Sequence, residues 1–179
     1  LVAGGRRWEN GRTLRVCLFG GNPTVAELVR QAAAEWNNYS GVKLDFGPTG
    51  TWYNCLAPNG YYQIRIGFDS PGYWSVLGND SETRLHALSP SMNLSGFNRR
   101  YSPEVLSPEV VLAQAQPYHI AVIKHEFGHA LGLLHEHQNP SLNCRNEIKW
   151  TGPDNVYQYF SGSPNFWNAS QVDRNLGFV

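Results

Sequence analysis

Residues His125 to His135 read HEFGHALGLLH, and the spacing of their histidines, glutamate and glycine suits a metal site. His125 and His129 are four residues apart. On an α-helix such positions share one face, one turn apart, so both imidazoles can reach a single ion. Glu126 lies about 100° further round the helix. It is badly placed to share the same ligand direction, but it can flank a water on the metal. Gly132 stands where the helix must end, since glycine readily takes the left-handed conformation that terminates helices. The chain can then turn and bring His135 back as a third ligand. Three protein nitrogens leave one coordination position open for water, which distinguishes catalytic zinc sites from closed structural ones. The expectation is one zinc ion per chain on His125, His129 and His135, with Glu126 as the general base that takes a proton from the metal-bound water.

A bare H-E-x-x-H arises in unrelated helices. The longer H-E-x-x-H-x-x-G-x-x-H fixes five positions, each with a physical task, and is far more specific. Two other assignments use the same residues. One is a buried amphipathic helix that carries histidines without a metal. The other keeps the zinc and takes Glu147 as third ligand, which leaves Gly132 and His135 without a task.

The motif resembles that of the metzincin zinc endopeptidases, and Glu136 directly after the third histidine, in HEHQNP, resembles the astacin-type branch. Further stretches are similar to secreted astacin-like proteases of fungi and bacteria: RRWENGRTLRVCLFGG, AAAEWNNYSGVKLDF, YYQIRIGF, GYWSVLGND and SMNLSGF, and more weakly FWNASQVDRNLGF. The resemblance implies zinc-dependent hydrolysis of peptide bonds in a protein or peptide substrate. It implies a cleft between an upper subdomain (1–135, with the zinc helix at about 118–132) and a partial lower one (136–179), together one protease domain. It implies that Glu136 meets the mature N-terminus, for which the Leu1 amine is the candidate. It also implies that the strand at Met92, Asn93 and Leu94 is an exposed sheet edge that pairs with the substrate backbone.

One departure stands out. Metzincins place a methionine turn after the third histidine, followed in astacin-like members by a tyrosine. The single methionine here, Met92, lies upstream of the motif, and Val179 ends the sequence. Either the chain is a truncated or processed piece, with a cleaved C-terminal segment as a partner, or this protein does without the turn. The alternative function is a non-catalytic or weakly active zinc-stabilised fragment or binding protein.

The elements that must position the site follow from periodicity. Thr13–Phe19 alternates, with Leu14, Val16 and Leu18 on one face, and reads as a strand. Thr24 and Glu27 form a capping-box pattern for a helix running to about Asn37, with Val25, Leu28, Val29, Ala32 and Trp36 on its apolar face. Val42–Phe46, Tyr61–Phe68 and Ser91–Ser95 are further strands. Gly72–Asp80 reads as a surface turn, and Pro153–Phe160 as a short helix. Ile120, Ile123, Phe127, Ala130 and Leu131 give the zinc helix a packing stripe that leaves His125 and His129 outside it. His86 and His119 read as structural or exposed, and His137 as a polar partner holding the loop after His135. Tyr157 and Tyr159 read as packing residues. The fold class is α+β: a twisted mixed sheet of four to five strands, two long helices, a zinc cleft and a short C-terminal subdomain.

Composition narrows the setting. Lys plus Arg and Asp plus Glu both number 14, so no basic excess points to nucleic acid. No apolar run reaches the roughly 20 residues that cross a membrane. Aromatic content of 13% with 16% charged residues suits a secreted protein. N-x-S sequons at Asn38, Asn79, Asn93 and Asn168 are candidate glycosylation sites, with Asn93 awkwardly placed on a strand. Of the three cysteines, Cys55 and Cys144 lie in loop-like sequence and are the expected pair. Cys17 sits inside a strand.

Overall fold

The alternation in Thr13–Leu18 produces a strand, β1, whose Leu14, Val16 and Leu18 are buried on one face. The computed structural model describes residues 4–162 and 166–177. Five further strands follow: β2 (Lys43–Asp45), β3 (Tyr53–Asn54), β4 (Ile64–Gly67), β5 (Tyr73–Ser75) and β6 (Met92–Leu94). The sheet order is β2-β1-β4-β6-β5, with the two-residue β3 also paired to β1. All pairings are parallel except β5 with β6. The architecture is thus α+β with a mixed sheet, and the count is six strands where the sequence suggested four to five.

Two sequence expectations change here. Met92–Leu94 is not an exposed edge. It lies between β4 and β5, and Met92, Asn93 and Leu94 are all buried. The edge on this side of the sheet is β5, whose residues fall within the stretch expected to be a surface turn. Glycine-rich flanks at Gly72 and Gly78 hid its three-residue strand, too short to show a period. Asn93 carries a side-chain amide that donates to the carbonyls of Ser70 and Gly72, both at 2.7 Å. Its nitrogen is therefore occupied and inside the sheet, which leaves no room for a glycan. Asn38, by contrast, is exposed.

The helices are α1 (Pro23–Ala33), α2 (Asp80–Thr83), α3 (Phe97–Arg100), α4 (Val111–Gln114), α5 (Pro117–Ala130), α6 (Val156–Ser161) and α7 (Ala169–Leu176). The two long ones, α1 and α5, pack on each other and share the main core. α1 buries Val25, Leu28, Val29 and Ala32, as its spacing requires. Its cap differs from the expected one. Asn22 accepts from Val25 N–H at 2.9 Å, and Pro23 occupies the first turn, where a missing N–H costs nothing. Thr24, taken from the sequence as the cap, is buried and donates to the Leu106 carbonyl instead. α5 buries Val122, Ile123, Phe127 and Ala130, with Ile120 and Leu131 partly buried beside them.

The chain divides into two compact units, Val2–Leu133 and Leu134–Val179. The first holds the sheet and α1 to α5. The second holds α6 and α7, each opened by a reciprocal capping box, Asn155 with Gln158 and Asn168 with Gln171. Tyr157 donates to Asp173 Oδ1 at 2.7 Å, which ties α6 to α7 and gives that tyrosine a packing role.

The disulfide also differs from expectation. Cys17 is bonded to Cys55, with Cα atoms 5.1 Å apart, and Cys144 is a free thiol. The parallel pairing of β1 with β3 sets Cys17 opposite Tyr53, two residues before Cys55. Together with Tyr62 these cysteines form a small second cluster, apart from the main core. Loop-like sequence around Cys55 carried no hint of β3. A non-reduced peptide map should join the fragments that carry Cys17 and Cys55 and leave Cys144 open to alkylation. Cys17→Ser should lower stability by about 2–4 kcal/mol in denaturant titration.

Candidate metal centre

The end of α5 builds the site. The N–H of Gly132 bonds the His129 carbonyl at 2.8 Å, and the N–H of Leu133 reaches back to the Gly128 carbonyl at 2.9 Å. This is a Schellman closure with Gly132 at the left-handed position, φ +96°. A Leu133 methyl lies 3.7 Å from where a Cβ at Gly128 would stand. The closure is held from outside as well. Gly78 N–H donates to the His129 carbonyl, and Trp8 Nε1 donates to the Ala130 carbonyl. Gly78, at φ +50°, sits so close that a Cβ there would fall 1.8 Å from the Arg6 carbonyl oxygen. Only glycine permits that approach.

The same turn orients a ligand. His129 Nδ1 lies 2.8 Å from the Leu133 carbonyl oxygen. A carbonyl can only accept, so Nδ1 carries the proton and Nε2 keeps its lone pair for a metal. That Nε2 lies 3.1 Å from Nε2 of His125. Two nitrogens bound tetrahedrally at zinc distances would sit about 3.3 Å apart. One ligand atom from each of His125, His129 and His135 lies within 4.8 Å of the others. Among the described residues this trio could hold a metal ion, and Glu147 is not in it.

Glu126 supplies a second reason to place a cation here. The residue is 5% exposed, and its Oε2 finds no hydrogen-bond partner. Burial alone pushes its carboxyl up to about 7. An orphaned, buried carboxylate is the group that a nearby dication would satisfy, and the imidazole set is suited to zinc. The residues present therefore fit the metal.

Residues around the motif take local roles. His137 stacks on His135, with ring centroids 5.1 Å apart, and its Nε2 meets the Asn175 carbonyl at 2.8 Å. This matches the reading of His137 as a loop-holding partner. Glu136 accepts from Asn139 Nδ2 at 2.8 Å. Its expected partner, the Leu1 amine, lies outside the described residues. His119 is buried, and Tyr101 hydrogen-bonds its Nδ1 at 2.6 Å, a structural pairing. Sequence reading missed Leu133, Gly78 and Trp8. The 129-to-133 spacing was the available signal for Leu133. The other two act through distant backbone contacts that no local pattern reveals.

The class these features define is a metalloprotease fold, and comparison with solved structures agrees. No protein-family model and no curated protein matches the chain. Two structures of myroilysin, a metalloprotease, are similar to it. One aligns at 31% identity and TM-score 0.70, covering 99% of this chain and 73% of that one. The other aligns at 33% identity and TM-score 0.58, covering 97% and 63%. The chain belongs to the metalloprotease family that includes myroilysin.

Two outcomes follow from the site's construction. After dialysis against metal-free buffer, His135→Ala should retain far less zinc than the parent, while Glu147→Ala retains the parent amount. The reverse pattern would assign the third ligand to the glutamate. Gly132→Ala forces a side chain into a positive-φ position and should lower thermal stability by about 1–2 kcal/mol. A neutral effect in calorimetry would show that the closure is not needed as described.

Proposed function

We propose that the chain is a zinc-dependent metalloendopeptidase of the astacin-like type, acting on extended peptide segments. The observation that carries this reading is the pairing on one helix of metal-ligand histidines with a buried, partnerless glutamate. Family membership with myroilysin supports it, as does the quoted resemblance around Glu136. The whole-protein activity is part of the proposal, since the chain spans 73% and 63% of the two myroilysin chains.

Zinc held by His125, His129 and His135 would supply Lewis acidity toward a peptide carbonyl and toward water. Glu126 then does the proton work. Its carboxylate can accept a proton from water and return it to the leaving amine. His129, locked by the Leu133 carbonyl, keeps its ligand nitrogen in register while that proton moves. The substrate backbone adds as a strand to β5, the open edge of the sheet beside α5, in place of the buried Met92–Leu94. Glu136 is assigned the N-terminal partner role that its position in the motif implies.

A secreted location belongs to the same reading. The Cys17–Cys55 bridge supports an oxidising compartment. No helix among the described residues is long and apolar enough to cross a membrane.

Glu126→Gln keeps shape and polarity but cannot accept a proton. Zinc content should stay at the parent level, while hydrolysis of a denatured protein falls by about 10²-fold or more. Parent hydrolysis that survives this change would remove Glu126 from the mechanism. A parent protein that binds zinc and cleaves nothing would favour the non-catalytic alternative.

A further inference from the structure

We propose that Tyr118, backed by Tyr73, forms a subsite that selects an aromatic substrate side chain three to four residues beyond the scissile bond, on its carboxyl-terminal side. The proposal rests on the peptidase reading above.

Tyr118 stands in the first turn of α5 and is 65% exposed. It shares a helix face with the ligands. Tyr118, Ala121, His125 and His129 follow at spacings of three, four and four, which form one stripe. The first three are exposed and His129 is half-buried. The small side chain of Ala121 leaves the way between Tyr118 and His125 open.

β5 runs alongside this stripe in the same direction. At its start, Tyr73 meets Tyr118 edge-on, with ring centroids 6.5 Å apart, and meets His119 at the same separation. Beyond its end, Gly78 N–H bonds the His129 carbonyl. The lengths agree: five strand steps span about 16 Å, and ten helix steps about 15 Å.

The register of β5 defines what it offers. Val76 N–H bonds the Ser91 carbonyl, and Trp74 lies opposite Asn93. In an antiparallel ladder the residues between such hydrogen-bonded pairs turn their N–H and C=O outward. Tyr73 and Ser75 therefore present backbone groups along the open edge. An added peptide strand bonds there, and a residue opposite Tyr73 projects its side chain to the same face of the sheet as Tyr73. Tyr73 projects toward α5, against Phe97, His119 and Tyr118. The substrate side chain opposite it therefore falls on the exposed ring of Tyr118.

Distance and direction fix the position. Tyr118 is seven residues from His125 and eleven from His129, or about 10 and 16 Å along the helix. A carbonyl held between those ligands lies about 13 Å away, and at about 3.4 Å per extended residue that is three to four residues. An antiparallel substrate enters at the Gly78 end and leaves past Tyr73, so the contacted residue lies after the bond that breaks. An aromatic ring fits best, because two tyrosine rings already set edge-to-face offer a third ring an apolar face with the same geometry.

The test maps cleavage sites by mass spectrometry in a denatured protein digested by the zinc-loaded parent, Tyr118→Ala and Tyr118→Phe. A synthetic peptide pair, with Phe or Gly at the selected position, then gives kcat/KM. Phe, Tyr and Trp should be enriched three to four residues after the cleaved bonds, with kcat/KM about tenfold higher for the Phe peptide. Tyr118→Phe should keep that preference, and Tyr118→Ala should reduce it below about twofold. No digestion at all by the parent sinks the peptidase reading, and the subsite with it. Digestion without enrichment, enrichment before the bond, or a preference that survives Tyr118→Ala overturns the subsite alone.

Discussion

The site depends on how one helix stops. At Gly132 the chain closes α5 with two backbone hydrogen bonds, and in doing so swings the Leu133 carbonyl onto Nδ1 of His129. Termination and ligand orientation are one event. A side chain at position 132 would strain the closure, and the carbonyl that fixes the imidazole tautomer would move with it. Position 132 must therefore be glycine for a chemical reason as well as a conformational one. Gly78 repeats the demand from the other side, since the backbone of Arg6 crosses too close for any Cβ. Two glycines and a carbonyl thus hold the helix end that carries His125 and His129.

Much of this was legible in the sequence. The shared face of His125 and His129 and the packing stripe of α5 could be read because helical spacing converts directly into faces, and Gly132 marked where the helix stops before His135. β1 and α1 were legible for the same reason, each having enough residues to show a period. What failed were features that depend on distant partners. The strand Tyr73–Ser75 has three residues, and its identity comes from pairing with Met92–Leu94 rather than from its own pattern. Once that pairing is known, the supposed edge strand moves inside the sheet and its neighbour becomes the edge. The disulfide failed similarly. Cys55 lies in a loop by composition, yet two residues of β3 beside β1 bring it to Cys17. The cap of α1 shifted from Thr24 to Asn22 because Pro23 already fixes the first turn, and Thr24 has a tertiary acceptor in Leu106.

Local consistency makes the exception at Glu126 informative. Its neighbours on the buried side of α5, Val122, Ile123, Phe127 and Ala130, satisfy packing and nothing else. A leucine at 126 would serve that packing better. A buried carboxyl with an unsatisfied oxygen costs about 1–3 kcal/mol, more if it is charged. No described residue offsets that cost by a hydrogen bond to Oε2. Stability therefore gives no account of a glutamate at this position. A cation beside it does, because it would supply the missing electrostatic partner and favour the carboxylate over the acid. The adjacent His125 has its ligand nitrogen turned toward that of His129, which is where such a cation would be held. Sites where a sequence breaks its own packing logic are where function is expected. Here the break falls one residue from His125, a candidate metal ligand, on the element that the rest of the sheet and both glycine contacts serve to fix.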